Sequence, residues 1–92
     1  MAVTVRVPSA LRAEAGGASS IEVDTAGTVA ALLDDIAGRW PLLERRIRDE
    51  QGNLRRYVNL YVDGEECRRL EGLATPLAAT SEVMIIPSVA GG

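Results

Sequence analysis

The last five residues, Ser88-Val89-Ala90-Gly91-Gly92, carry no charged side chain and end in two glycines. Chain ends usually fray, and a frayed terminus is the plain reading of any final segment. Polar and charged residues would be ordinary there, and this segment has neither Lys, Arg, Asp nor Glu. Gly91 and Gly92 give the backbone maximal freedom and no side-chain bulk. A flexible tail of this kind can thread a narrow channel and place the Gly92 carboxylate at a buried reaction centre. Val89 and Ala90 would anchor the tail in such a channel. A carboxylate is a poor electrophile, because its charge repels nucleophiles and its leaving group is oxide. Chemistry at Gly92 therefore has to begin with activation.

The other reactive residues lead to blander readings. Cys67 is the only cysteine. A reactive thiol needs a cationic or helix-terminal setting that lowers its pKa. Arg68 and Arg69 are cationic, but Glu65 and Glu66 oppose them, so a structural Cys67 is expected. With no His and one Cys, the chain has too few preferred ligands for zinc, and no metal site is expected. Asp34-Asp35 falls on the solvent side of a helical pattern, which argues against paired-carboxylate catalysis. Gly16-Gly17 lacks the strand-to-helix setting and the Lys of a phosphate loop. No catalytic constellation emerges. The chain is expected to be a substrate and carrier for other enzymes, not an enzyme, with no bound cofactor.

Bulk properties narrow the partners. A chain of 92 residues predicts one domain. At this size roughly 60–65% of the unfolded surface becomes buried, enough for one core but not for a deep cleft as well. The hydrophobic fraction of 47% and the charged fraction of 25% are ordinary for a globular chain. A net charge of −3 gives no nucleic-acid footprint, which requires clustered positive charge. The pairs Arg45-Arg46, Arg55-Arg56 and Arg68-Arg69 sit among carboxylates and read as solvated surface. No secretory signal and no apolar run of the ~20 residues needed to cross a bilayer are present. A single Cys suits a reducing compartment. The expectation is a cytoplasmic protein. All ten basic residues are Arg. Arg-biased composition accounts for this; avoidance of self-modification by an activated C-terminus is the other reading.

The elements that must position the tail follow from periodicity. Residues 2–7 alternate apolar and polar, a strand with Val3, Val5 and Val7 on one face. Pro8 ends it, residues 8–18 read as a loop, and Gly16-Gly17 marks a turn. A second strand is expected over 20–23. Thr28 is a good N-cap for a helix whose Val29, Leu32, Leu33 and Ile36 form one apolar stripe, extended by Trp40. Gly38 and Pro41 are expected to break that helix. Pro41 then opens a short second helix through Leu42, Leu43 and Ile47. Residues 49–53 read as a turn. Tyr57-Val58-Asn59-Leu60-Tyr61-Val62 is the strongest strand. Asp63-Gly64 signals a hairpin into a short strand around residues 66–68. A helical turn is expected over 73–77, and the last strand over 83–86, ended by Pro87. This order predicts an α+β fold in two layers, a mixed sheet with one main helix packed on one face. It is compatible with a β-grasp arrangement whose first and last strands lie side by side in parallel.

The ending Val89-Ala90-Gly91-Gly92 after a strand resembles the ubiquitin-like sulfur carriers of bacteria. These include the molybdopterin synthase small subunit, the thiamine-pathway carrier and a cysteine-biosynthesis carrier. The resemblance spans the chain, through Thr28-Val29, Gly72-Leu73-Ala74-Thr75-Pro76-Leu77 and Ile86-Pro87-Ser88-Val89-Ala90-Gly91-Gly92. Tyr57-Val58-Asn59-Leu60-Tyr61-Val62 and Pro8-Ser9-Ala10-Leu11-Arg12 look most like the cysteine-biosynthesis carrier. One departure is Thr80-Ser81-Glu82, where many relatives have an Asp-Gly-Asp-like turn. The resemblance implies a β-grasp domain over 1–87 and a diglycine tail over 88–92.

It also implies a cycle. An adenylating enzyme uses ATP to activate the Gly92 carboxylate, and sulfide or a persulfide displaces AMP to leave a thiocarboxylate. A sulfur-accepting enzyme, such as a cysteine synthase, then takes the sulfur. Molybdopterin, thiazole and tRNA thiolation are alternative destinations. Gly91 removes Cβ bulk beside the reacting carbon so that partners can close around it. If Val83 and Ile85 face the core, Met84 and Ile86 point outward beside the tail. Exposed apolar residues there suggest a partner face, with Arg6 nearby to pair with a partner's carboxylate. The alternative is that Met84 and Ile86 lie under a loop. Two other functions stand beside sulfur carriage: a ubiquitin-like modifier joined through Gly92 to lysines, and a β-grasp interaction module with an idle tail.

Overall fold

A computed structural model describes residues 2–24 and 27–87. The tail over 88–92, with Val89, Ala90, Gly91 and Gly92, lies outside the described residues.

Strand β1 (Val3–Arg6) pairs antiparallel with β2 (Ser20–Val23). A two-residue strand, β3 (Gly27–Thr28), leads into helix α1 (Val29–Arg39). Thr28 caps that helix as its sequence suggests: its Oγ1 accepts from the Ala31 N–H at 3.2 Å. Helix α2 (Pro41–Ile47) follows with Pro41 in its first turn. Next come β4 (Val58–Val62), β5 (Glu65–Glu66), the short β6 (Pro76–Leu77) and the last strand β7 (Glu82–Pro87). The main sheet runs β2-β1-β7-β4-β5, and β3 pairs with β6 separately. Among the described residues, only the β1–β7 pairing in the main sheet is parallel. This is the expected mixed β-grasp sheet, with its last strand in the centre.

One sheet face makes the core. Val3, Val5, Val7, Leu60, Val83 and Ile85 are buried, and so is the whole α1 stripe of Val29, Leu32, Leu33 and Ile36. Each fully buried aliphatic side chain of this kind contributes about 1.5–3 kcal/mol. Leu43 and Ile47 of α2 complete the layer, whereas Leu42 points out.

Several expectations need correction. Residues Ser9–Ala15 form a 3-10 helix, not an open loop: bonds three residues back, such as Leu11 N–H to the Pro8 carbonyl at 2.9 Å, tighten the segment, and Leu11 and Ala15 are buried. Gly38 does not break α1, which continues to Arg39. A single helical Gly costs only about 1 kcal/mol, and the break waits for the Pro41 ring. The strand after the hairpin is Glu65–Glu66, and Cys67–Arg69 turns into a 3-10 helix. The helical turn near residue 73 covers Gly72–Ala74 only, since Pro76–Leu77 is drawn out to pair with β3. The first strand ends at Arg6, and the last reaches Pro87, whose missing N–H costs nothing at a strand end.

The Thr80-Ser81-Glu82 departure has a structural answer. The β4–β5 hairpin turns through Asp63 (φ 50°) and Gly64 (φ 90°), the positive-φ pair of a two-residue turn. Held in that conformation, the Asp63 carboxylate reaches the turn before β7. Its Oδ1 accepts from the Glu82 N–H at 2.9 Å, and its Oδ2 accepts from the Ser81 hydroxyl at 3.0 Å. Ser81 is buried, and its Oγ accepts in turn from the Ala78 N–H at 2.9 Å. Asp63 thus does from the neighbouring hairpin what an acidic residue in the turn itself would do. Asp63→Ala should lower the unfolding free energy by about 2 kcal/mol in a urea titration, from two lost charge-assisted bonds. Asp63→Asn should cost clearly less, since Asn tolerates positive φ and keeps an acceptor oxygen.

Candidate functional site

The tail is rooted by β7. The register pairs Val83 with Val62 at the start of β7 and Pro87 with Val58 at its end. Neighbouring β1 runs parallel beside it, with Arg6 opposite Met84. Pro87, the last residue before the tail, is therefore tied into the centre of the sheet at the end away from the 63–64 hairpin.

Alternation along β7 sorts its residues as the pattern requires. Val83 and Ile85 are buried, while Met84 is 40% and Ile86 is 38% exposed. The reading that places them under a loop is thereby set aside. They border a shallow hollow of about 590 Å³ that runs along the outer face of β7 to Pro87 and is also lined by Arg6, Pro8 and Arg12. Arg12 is held there by its Nε, which donates to the Val7 carbonyl at 3.1 Å. Arg6 is already engaged: its Nε donates to Glu82 Oε2 at 2.9 Å. Both side chains are about half exposed, so this ion pair adds little stability and costs little to exchange. A partner carboxylate can replace Glu82 on Arg6. Met84→Asp with Ile86→Asp should weaken binding of a tail-processing partner by roughly 30-fold or more, about 2 kcal/mol, as expected for central interface residues. The melting temperature should fall far less, and calorimetric titration beside thermal unfolding separates the two effects.

Cys67 is fully buried, and burial pushes its thiol pKa upward, against the weaker pull of Arg68. A raised pKa leaves the neutral thiol at physiological pH, so Cys67 is part of the core and not a relay. Asp34 is exposed and accepts from Arg48 Nη2 at 2.9 Å. Arg48 also donates through Nε to Glu44 Oε2 at 2.7 Å. Burial opposes the charge on Arg48, but the two carboxylates prevail and raise its pKa. No cluster of His, Cys, Asp and Glu suited to a metal occurs among the described residues. No helix among them is long and apolar enough to cross a membrane.

Arg68 is exposed, as its sequence suggests, yet it also binds the neighbouring backbone. Arg68 Nη1 donates to the Val58 carbonyl at 2.9 Å and to Asn59 Oδ1 at 2.7 Å, while Nη2 donates to the Arg55 carbonyl at 2.7 Å. It clamps the turn that enters β4 beside the root of the tail. Nothing in the local sequence signals a bond between residues this far apart.

These features match known proteins along the whole chain. The model of the ThiS family covers residues 5–92, through the terminal diglycine. The chain belongs to the ThiS family. A relative from Mycobacterium tuberculosis, "Sulfur carrier protein CysO", is 38% identical over 94 residues, covering 100% of both chains. "Small archaeal modifier protein 1" of Haloferax volcanii is 34% identical over 82 residues, covering 87% of this chain and 90% of the relative. A chain in the crystal structure of the Amycolatopsis orientalis BexX/CysO complex superposes with a TM-score of 0.88 at 36% identity, covering 98% of this chain and 99% of that one. The last strand lies at the centre of the sheet, between β1 and β4.

Proposed function

We propose that this ThiS-family chain is a sulfur carrier whose working group is the C-terminal carboxylate of Gly92. The observation that carries this reading is the family match through Gly92 on a fold whose central strand ends at Pro87. A partner adenylating enzyme activates the carboxylate with ATP. The carboxylate oxygen attacks the α-phosphorus, pyrophosphate leaves, and an acyl-adenylate forms. A sulfur nucleophile then attacks the acyl carbon and expels AMP. When the donor is sulfide, the product is the Gly92 thiocarboxylate; a persulfide donor must then lose its outer S–S bond to a reducing thiol. Fully extended, five residues reach about 17 Å, so the folded body stays outside while Gly92 enters the partner's active site. Gly91 keeps the approach to the acyl carbon free of Cβ bulk. Val89 and Ala90 grip the channel, and Arg6, Met84 and Ile86 meet the partner beside it.

The sulfur-accepting enzyme is best read as a cysteine synthase. Support comes from the resemblance of Tyr57–Val62 and Pro8–Arg12 to the cysteine-biosynthesis carrier. ATP–pyrophosphate exchange with the adenylating enzyme of the same organism tests the first step. Exchange that depends on this chain, and is lost when Gly91 and Gly92 are deleted, is the expected result; exchange that survives the deletion would contradict it. The similarity to a protein named a small archaeal modifier favours a second reading, conjugation of Gly92 to lysines of other proteins. Gly-Gly remnants on cellular lysines that trace to this chain would be its signature.

A further inference from the structure

We propose that the corner between α2 and β4 is a second docking surface, shaped for an acidic rim around the tail channel of the adenylating enzyme. The inference rests on the carrier reading above.

The corner lies beside the tail's root. Val58 pairs with Pro87, and the Val58 N–H donates to the Arg55 carbonyl at 3.1 Å. Residues 55–57 are therefore held next to the last residue of β7. Any partner that swallows the tail must bring its channel mouth against this end of the sheet. The mouth then faces Arg55, Arg56 and Tyr57 whatever the enzyme's fold.

The charge at this corner runs against the rest of the molecule. Residues 41–57, α2 and the entry to β4, hold five of the ten arginines and three of the thirteen acidic residues, a local balance of +2 in a chain of net −3. Arg48 is consumed by Glu44 and Asp34, and Arg46 has only Glu14 at 3.7 Å. Arg45, Arg55 and Arg56 form no ion pair with a carboxylate among the described residues. Arg55 Nε instead donates to the Arg45 carbonyl at 2.7 Å, which joins α2 to the β4 entry as one surface. Arg68 pins the same turn through the Arg55 and Val58 carbonyls. The turn that carries Arg55 and Arg56 is thus fixed, and their guanidinium groups suit bidentate carboxylate recognition.

Apolar anchors stand at both ends of the patch. Leu42 is 68% and Tyr57 is 47% exposed, the first and second most exposed large hydrophobics among the described residues. Hollows of about 590 Å³ beside Leu42 and about 290 Å³ beside Tyr57 share Arg55 as a wall. Tyr and Arg with an apolar anchor are the composition of a protein interface. Net negative charge over the rest of the chain disfavours a nucleic acid, so the occupant is an acidic protein surface.

The test measures affinity for the organism's own adenylating enzyme at 50 and 200 mM NaCl, by calorimetry, with adenylation read as pyrophosphate release. The variants are Arg45→Glu with Arg56→Glu, and the milder Arg45→Gln with Arg56→Gln. Arg55 is left intact because its side chain builds the corner. Charge reversal should weaken binding at least tenfold at low salt, neutralisation less, and the salt dependence should shrink in both. Unchanged affinity in the reversed variant, with normal adenylation, would overturn this surface alone. Tighter binding of the wild type to bulk tRNA than to the enzyme would also overturn it. A wild-type chain that is never adenylated would overturn the carrier reading, and the surface with it.

Discussion

Gly91→Val is expected to leave the fold intact and to cut Gly92 thiocarboxylate formation by 100-fold or more. The substitution adds a β-branched side chain next to the reacting carbon. Among the described residues, the buried core cluster runs from Val3 to Ile85. Melting temperature and sheet content should therefore match the wild type. The loss comes from geometry at the reaction centre. A displacement of about 1 Å in a positioned reactant can cost about 10²-fold in rate. A channel shaped for a residue without Cβ has to widen or hold the acyl carbon back by more than that. Single-turnover measurement of pyrophosphate release and of sulfur incorporation separates the two steps. Normal rates in both would show that Gly91 has no steric role.

The second large effect is expected in the body that roots the tail. Ile36→Ala should lower the unfolding free energy by about 2–5 kcal/mol. Ile36 is fully buried in the α1 stripe, in one core cluster with Leu32, Leu33, Leu60 and Ile85. A domain of this size has about 5–14 kcal/mol of stability in total, so the variant sits near the unfolding threshold. Urea unfolding followed by circular dichroism reads the change. Sulfur transfer measured well below the melting temperature should remain near wild type, because Ile36 is buried in the core while Met84 and Ile86 face outward. A large loss of transfer in protein shown to be folded would mean that the body does more than hold the root.

These two expectations divide along the line where the sequence is most and least informative. Strand alternation in Val3, Val5 and Val7, and again in Val83 and Ile85, placed both strands' core faces correctly, because a period of two leaves one choice of face. The helical stripe and the Thr28 cap were equally readable, since each depends on residues within eight positions of one another. Readings failed where a distant partner decides. Ser9–Ala15 looked like loop because its two core contacts, Leu11 and Ala15, are too few to set a periodicity. Pro76–Leu77 became a strand through pairing with β3, almost 50 residues earlier. Asp63 and Arg68 read as hairpin and surface, and their bonds to Ser81, Glu82 and the Arg55 turn connect segments that only the fold brings together. The strand period gives the outward direction of Met84 and Ile86, but only the fold shows that no loop among the described residues covers them. No period reveals the basic corner around Arg55, because its charge comes from α2 and the β4 entry jointly.

Fragmentation mass spectrometry shows whether Gly92 carries sulfur. The protein is isolated gently from its own cells, or incubated with its adenylating enzyme, ATP and sulfide. Exchange of one oxygen for sulfur gives nearly the mass of one added oxygen, so oxidised Met1 or Met84 can imitate it. The fragments must therefore place the change on Gly92. Sulfur found there is the predicted result. A plain Gly92 carboxylate in every preparation, including after the enzymatic incubation, would contradict the account and leave a β-grasp interaction module with an idle tail.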